Sequence, residues 1–149
     1  LQGNSSSWDW SVTGDSNTGT FTVGGTGDVA SSDFDYTTIG DSNTFVWTQG
    51  AAATATGGNQ DFTITGTSNA YTGTCEVVGC INNWTVSGNS NTITTTQTGK
   101  ADHQITASLT GSSNTVTIDQ TDTTSTNVVN LISTTTSGTI DVDQCASGC

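Results

Sequence analysis

The chain of 149 residues has no Pro and no Met, and Lys100 is its only Lys or Arg. His103 is the only residue besides it that can carry positive charge. With no cluster of cations, binding nucleic acid through phosphate neutralisation is excluded. Adhesion to anionic lipid through a basic patch is excluded for the same reason. No apolar run approaches the roughly 20 residues of a helical membrane span, so membrane insertion is not expected. Only 30% of residues are hydrophobic and 9% charged, a composition that by itself borders on disorder. The missing Pro argues the other way, because every backbone N–H stays available to a hydrogen-bonded ladder.

Four small residue types supply most of the chain: 34 Thr, 18 Ser, 18 Gly and 12 Asn. Thirteen carboxylates, all Asp except Glu76, bring the net charge to -12. The four cysteines form two close pairs, Cys75/Cys80 and Cys145/Cys149. Such a count in an almost cation-free, Thr-rich chain fits an oxidising, extracellular setting, and a start at Leu1 fits a processed chain or a fragment. A thiolate metal site is the alternative, but with four and three intervening residues and no neighbouring His, two local disulfides are favoured. Spacing does not decide between pairing within a chain and pairing between subunits.

The chain is a repeat. Gly-x-Ser-Asn-Thr/Ala recurs at 14–18, 40–44, 66–70, 88–92 and 111–115, with Gly138 in the Asn slot of a degenerate sixth copy. Six units of about 24 residues, near 5–27, 31–58, 59–80, 81–102, 103–125 and 126–149, leave no room for a second domain. After each Asn the sequence alternates with period 2, the signature of a strand. One face reads Phe45-Trp47-Gln49, Ile93-Thr95-Gln97, Val116-Ile118-Gln120 and Ile140-Val142-Gln144; the other is nearly all Thr. A second alternating strand precedes each glycine, with Trp8-Trp10-Val12, Phe34-Tyr36-Thr38, Phe62-Ile64, Trp84-Val86 and Ile105-Ala107-Leu109 on its apolar face. Asp9, Asp35, Asp61 and Asn83 lie on its polar face.

Each unit is therefore expected to be strand, tight turn, strand. A lone hairpin is marginal in water, so the units must stack to bury their apolar faces. The expected fold is an all-β, amyloid-like β-solenoid of about six rungs, roughly 29 Å long at 4.8 Å per rung. An antiparallel sandwich would also explain the alternation, but not the recurrence of one residue type at one slot in every unit.

The run Gly-x-x-Asn-x5-Gln at Gly40…Asn43…Gln49, Gly88…Asn91…Gln97 and Gly111…Asn114…Gln120, with Gln144 ending a degenerate copy, resembles the curlin repeat of bacterial curli-type fibres. Ser6 and Ser32 fall where a curlin unit starts. The resemblance covers residues 5–144 and is carried by the second strand. The first-strand Gln of curlin units is replaced by Val12, Thr38, Ile64, Val86 and Leu109, and the period is longer. It implies stacked strand-turn-strand units that polymerise end to end.

The expected stacking ladders are Asn17, Asn43, Asn69, Asn91 and Asn114, and Gln49, Gln97, Gln120 and Gln144, each amide donating to one rung and accepting from another. Asp9, Asp35 and Asp61 should stack as like charges; a bound Ca²⁺ is one way to relieve them, solvation the simpler one. No cofactor is otherwise implied. The repeated Gly-x-Ser belongs to the turn, and with one His and no triad context an enzyme is not expected.

The functional expectation is a structural subunit of a secreted, extracellular or surface fibre serving adhesion, a biofilm matrix or a sheath. Its partners would be copies of itself, and a secretion or nucleator protein. Two alternatives are a virion tail-fibre or decoration module, and a monomeric solenoid binding ice through its Thr ranks or carbohydrate, although exposed Trp would favour sugar binding and Trp8, Trp10, Trp47 and Trp84 all fall on the inward face.

Overall fold

The computed structural model describes residues 7–23, 33–50, 58–76, 78–98, 102–121 and 127–145. Among them are twelve strands and no helix. The pre-glycine strands of the six repeats are β1 (Ser7–Thr13), β3 (Asp33–Ile39), β5 (Asn59–Thr65), β7 (Ile81–Ser87), β9 (Gln104–Ser112) and β11 (Val128–Thr136), and they form one sheet in that order. The post-turn strands are β2 (Thr18–Val23), β4 (Thr44–Gln49), β6 (Ala70–Cys75), β8 (Thr92–Thr98), β10 (Thr115–Thr121) and β12 (Thr139–Cys145), and they form the other. Every neighbouring pair is parallel, which rules out the antiparallel sandwich and makes the chain a β-solenoid. Each rung lies in register on the next: Trp10 pairs with Tyr36, Tyr36 with Phe62 and Phe62 with Trp84.

The period-2 apolar positions fill the space between the sheets. Phe34, Phe45, Trp47, Phe62, Ile64, Tyr71, Ile93, Ile105, Leu109 and Ile118 are all at most 2% exposed. At about 2 kcal/mol per buried large side chain, this thin seam stabilises the stack. The early rungs are aromatic: Tyr36 stacks on Phe45 at 3.9 Å and Phe62 on Trp84 at 4.1 Å between ring centroids. Gly73 lies against two indoles, and a Cβ there would be in ordinary contact with Trp84 at 3.5 Å and Trp47 at 3.6 Å. The later rungs are aliphatic. Burial raises the pKa of Tyr71 strongly and that of Tyr36 in the same direction, the nearby Thr38 hydroxyl partly opposing it.

The recurrent turn has one backbone solution. Gly14, Gly40, Gly66, Gly88 and Gly111 have φ between 121° and 137°, and Ser16, Ser42, Ser68, Ser90 and Ser113 sit in the left-handed region at 55° to 59°. Inter-rung backbone bonds clamp the turns together, for example Ser42 N–H to Thr67 O at 2.9 Å and Ser68 N–H to Asn89 O at 3.0 Å. Gly138 occupies the Asn slot of the last turn, where Thr139 N–H donates to Asn114 O at 2.9 Å just as Thr115 N–H does to Asn91 O at 2.8 Å.

Candidate functional site

The Asn column is a ladder of a different kind from the expected one. Asn43, Asn69, Asn91 and Asn114 are buried, and each Oδ1 accepts the backbone N–H of the Asn one rung earlier, at 2.8 to 2.9 Å. The Nδ2 groups of Asn91 and Asn114 donate to the carbonyls of Gly66 and Gly88 at 3.0 and 2.9 Å, again one rung back. The side chain thus substitutes for backbone partners at the corner, where the strand ladders are interrupted. Only Asn17 Nδ2 to Asn43 Oδ1 at 3.0 Å is an amide-to-amide step. Asn17 is itself exposed, because no rung precedes it among the described residues.

The Gln column does form the expected amide chain, over part of its length. Gln144 Nε2 donates to Gln120 Oε1 at 2.6 Å, and Gln120 Nε2 to Gln97 Oε1 at 2.7 Å. The chain then breaks, since the next slot is Cys75, and Gln97 Nε2 turns to Cys80 O at 3.1 Å. Gln49 lies beyond the break and accepts from Gln60 Nε2 at 3.1 Å across the core. Gln60, Asn82 and His103 are buried polar residues absent from the expected ladders. Carrying the alternation one step further back, to Gln60-Phe62-Ile64, Asn82-Trp84-Val86 and His103-Ile105-Ala107, would have found all three.

Replacing Asn91 and Gln97 by Ala removes the acceptors for the buried Asn69 N–H and the Gln120 amide. Each orphaned buried group costs about 1–3 kcal/mol, so the double variant should lose about 4 kcal/mol of unfolding free energy. Urea unfolding of the monomer checks this, and an unchanged midpoint would disprove the ladder's role.

Cys75 and Cys80 form a disulfide at the corner between β6 and β7, both sulfurs buried. Cys149 lies outside the described residues, as does the side chain of Cys145, so the second expected pair does too.

Asp9, Asp35 and Asp61 stack in register on the outer face of the first sheet, ending on Asn83. Asn83 Nδ2 donates to Asp61 Oδ1 at 2.6 Å, and Asn59 Nδ2 to Asp61 Oδ2 at 3.0 Å. The carboxylates are strung along the stack and do not converge: no group of three or more His, Cys, Asp or Glu among the described residues is placed to hold a metal. Desolvation, then the charges of Asp61 and Asp9, a hydrogen bond with Asp9 and the charge of Asp33 raise the pKa of Asp35 above its ordinary 3.8. The folded chain therefore binds this proton more tightly than the unfolded one. Its repulsion is fully present at neutral pH and is relieved as pH falls through the raised pKa toward 3.8. Asp35→Asn should stabilise the monomer by about 0.5–1 kcal/mol at pH 7 and by nothing near pH 3, as read from paired melting curves. Equal stabilisation at both pH values would contradict this.

The ends of the stack are its least satisfied surfaces. β1 and β2 pair on one side only, as do β11 and β12. Ile140 and Val142 are 38% and 40% exposed, whereas their register partners Val116 and Ile118 are 1% and 2% exposed. At the other end Trp8, Trp10, Val12 and Phe21 are only partly buried against the core. No described residue crosses either end. The open sides of both terminal rungs thus present core side chains together with strands that no second described strand flanks. No pocket forms among the described residues. No family model, curated protein or solved structure matches the chain.

Proposed function

We propose that the chain is the structural subunit of an extracellular fibre, growing by placement of the last rung of one copy on the first rung of the next. The observation that carries this reading is the pair of parallel, in-register ends that no described residue covers. Unpaired strand edges recruit other strands unless they are blunted, and here no Pro is present to blunt them.

Continuing the observed register across such a joint gives a chemically quiet seam. Asn130 falls opposite Asp9 and Thr136 opposite Asp15, while Asp141 and Asp143 fall opposite Thr20 and Thr22. At the joint itself no carboxylate in these columns meets another carboxylate. Asn17 adds support: with no rung behind it, its Nδ2 donates to the Gly14 carbonyl of its own turn at 3.0 Å. In the rungs of Asn91 and Asn114 the same atom reaches back to a glycine carbonyl of the previous rung, which a preceding copy would provide for Asn17.

The curlin resemblance points the same way, and the Cys75–Cys80 disulfide with a net charge of -12 suits a secreted, salt-tolerant matrix, sheath or adhesive fibre. Trp8, Trp10, Trp47 and Trp84 all face the core, so they offer no sugar-stacking platform.

Incubating the oxidised chain at micromolar concentration and imaging it by negative-stain electron microscopy tests the reading. Unbranched filaments with a 4.8 Å cross-β repeat are expected. A stable monomer at every salt and calcium concentration would overturn it.

A further inference from the structure

Each outer face has a stretch of rungs with carboxylates and a stretch without, and the first sheet has none on the outer face of β7, β9 and β11. In rungs one to three the first sheet exposes Asp9, Asp33, Asp35 and Asp61. The outer face of the second sheet is uncharged over its first four rungs, from Thr18-Thr20-Thr22 through Thr92-Thr94-Thr96; its carboxylates begin at Asp119. In a chain of net charge -12, these four Thr-rich rungs are the longer of the two carboxylate-free stretches, against three rungs on the first sheet.

We infer that fibres of this chain associate laterally, Thr face against Thr face of a second fibre, an interaction that rests on the fibre reading above. Thr suits such a contact: its methyl packs against a facing rank, and its hydroxyl both donates and accepts. The parallel register places these side chains in straight columns, Thr20-Val46-Thr72-Thr94-Thr117 among them, as interdigitating sheets require.

Size decides when the contact forms. Four rungs of 4.8 Å by six residues of 3.3 Å make a patch of about 400 Å² on each partner. The resulting total of about 800 Å² is below the roughly 1,200 Å² of a stable complex, so free subunits do not pair through it. In a fibre the patch returns every 29 Å or so, and linked weak contacts add. Lateral association therefore follows polymerisation, and salt favours it by screening the flanking Asp119, Asp141 and Asp143.

The test compares three proteins by electron microscopy and light scattering at low and at half-molar salt. They are the wild type, Thr48→Asp with Thr94→Asp on the second sheet, and Thr63→Asp with Ser108→Asp on the first. The two double variants carry the same added charge. The wild type and the first-sheet variant should bundle at high salt, while the Thr48/Thr94 variant elongates normally but gives at least tenfold fewer paired fibres. Equal bundling in both variants, equal loss in both, or single wild-type fibres at every salt would overturn the lateral contact and leave the fibre reading standing. Absence of wild-type filaments would instead bring down the fibre reading, and the lateral contact with it.

Discussion

Val142→Pro should abolish filament growth while leaving the monomer folded. In a parallel ladder the backbone groups of successive residues point alternately to the two neighbouring strands. Thr139 N–H donates to Asn114 O, so Thr139, Asp141 and Asp143 address β10. Ile140, Val142 and Gln144 then direct their N–H groups to the open end. Pro at 142 deletes no internal hydrogen bond, and the half-exposed Val side chain loses little packing. At a joint, by contrast, the ring stands where the next copy's carbonyl must approach. A lost donor plus this clash costs about 3 kcal/mol, which raises the critical concentration about a hundredfold. Asp141→Pro is the opposite control, since its N–H belongs to the β10 ladder and the monomer itself should suffer. Sedimentation of the polymer against total concentration reads both. Growth of Val142→Pro at wild-type concentrations would show that β12 is not the growing edge.

The architecture was legible because two periodicities reinforced each other. The 22- to 26-residue recurrence of Gly-x-Ser-Asn fixed where each rung turns, and the period-2 alternation fixed which residues face inward. Phe45, Trp47, Ile93 and Ile118 were placed in the core on that ground alone, and they lie there. The chemistry of the ladders was less legible. Repetition of Asn at one slot says that the slot is equivalent in every rung, not which partner it meets. That partner is a backbone N–H, because the left-handed Ser before each Asn breaks the regular ladder and leaves main-chain groups to be satisfied. Gln60 and Asn82 lie outside the repeated pentapeptide; Gln60 reaches Gln49 across the core, and Asn82 is set beside Gln60 in register, only once the rungs are closed. The break in the Gln column at Cys75 follows from a single substitution in one repeat, which shifts Gln97 onto the Cys80 carbonyl.

The turn glycines provide the sharpest test of how closely the rungs approach. Gly66 has φ of 137°, and a Cβ added there would overlap the carbonyl group of Gly40 in the preceding rung. The obstructing atoms are backbone, held by Gly40 N–H to Thr65 O at 3.0 Å and by Gly66 N–H to Ser87 O at 2.9 Å. No rotamer change relieves the overlap; the rungs must part at this corner. Strain of about 1–3 kcal/mol for the backbone angle adds to about 1–3 kcal/mol for overpacking. Gly66→Ala should therefore lose about 5 kcal/mol, enough to unfold a domain of ordinary stability. Gly79 separates the two contributions. Its φ is 68° but a Cβ there would meet nothing within 4 Å. Gly79→Ala should accordingly lose only about 1–2 kcal/mol, the cost of the left-handed backbone. Urea unfolding of both variants in the non-polymerising Val142→Pro background measures the difference. If the two lost equal stability, the carbonyl of the preceding rung would not be what requires glycine at the turn.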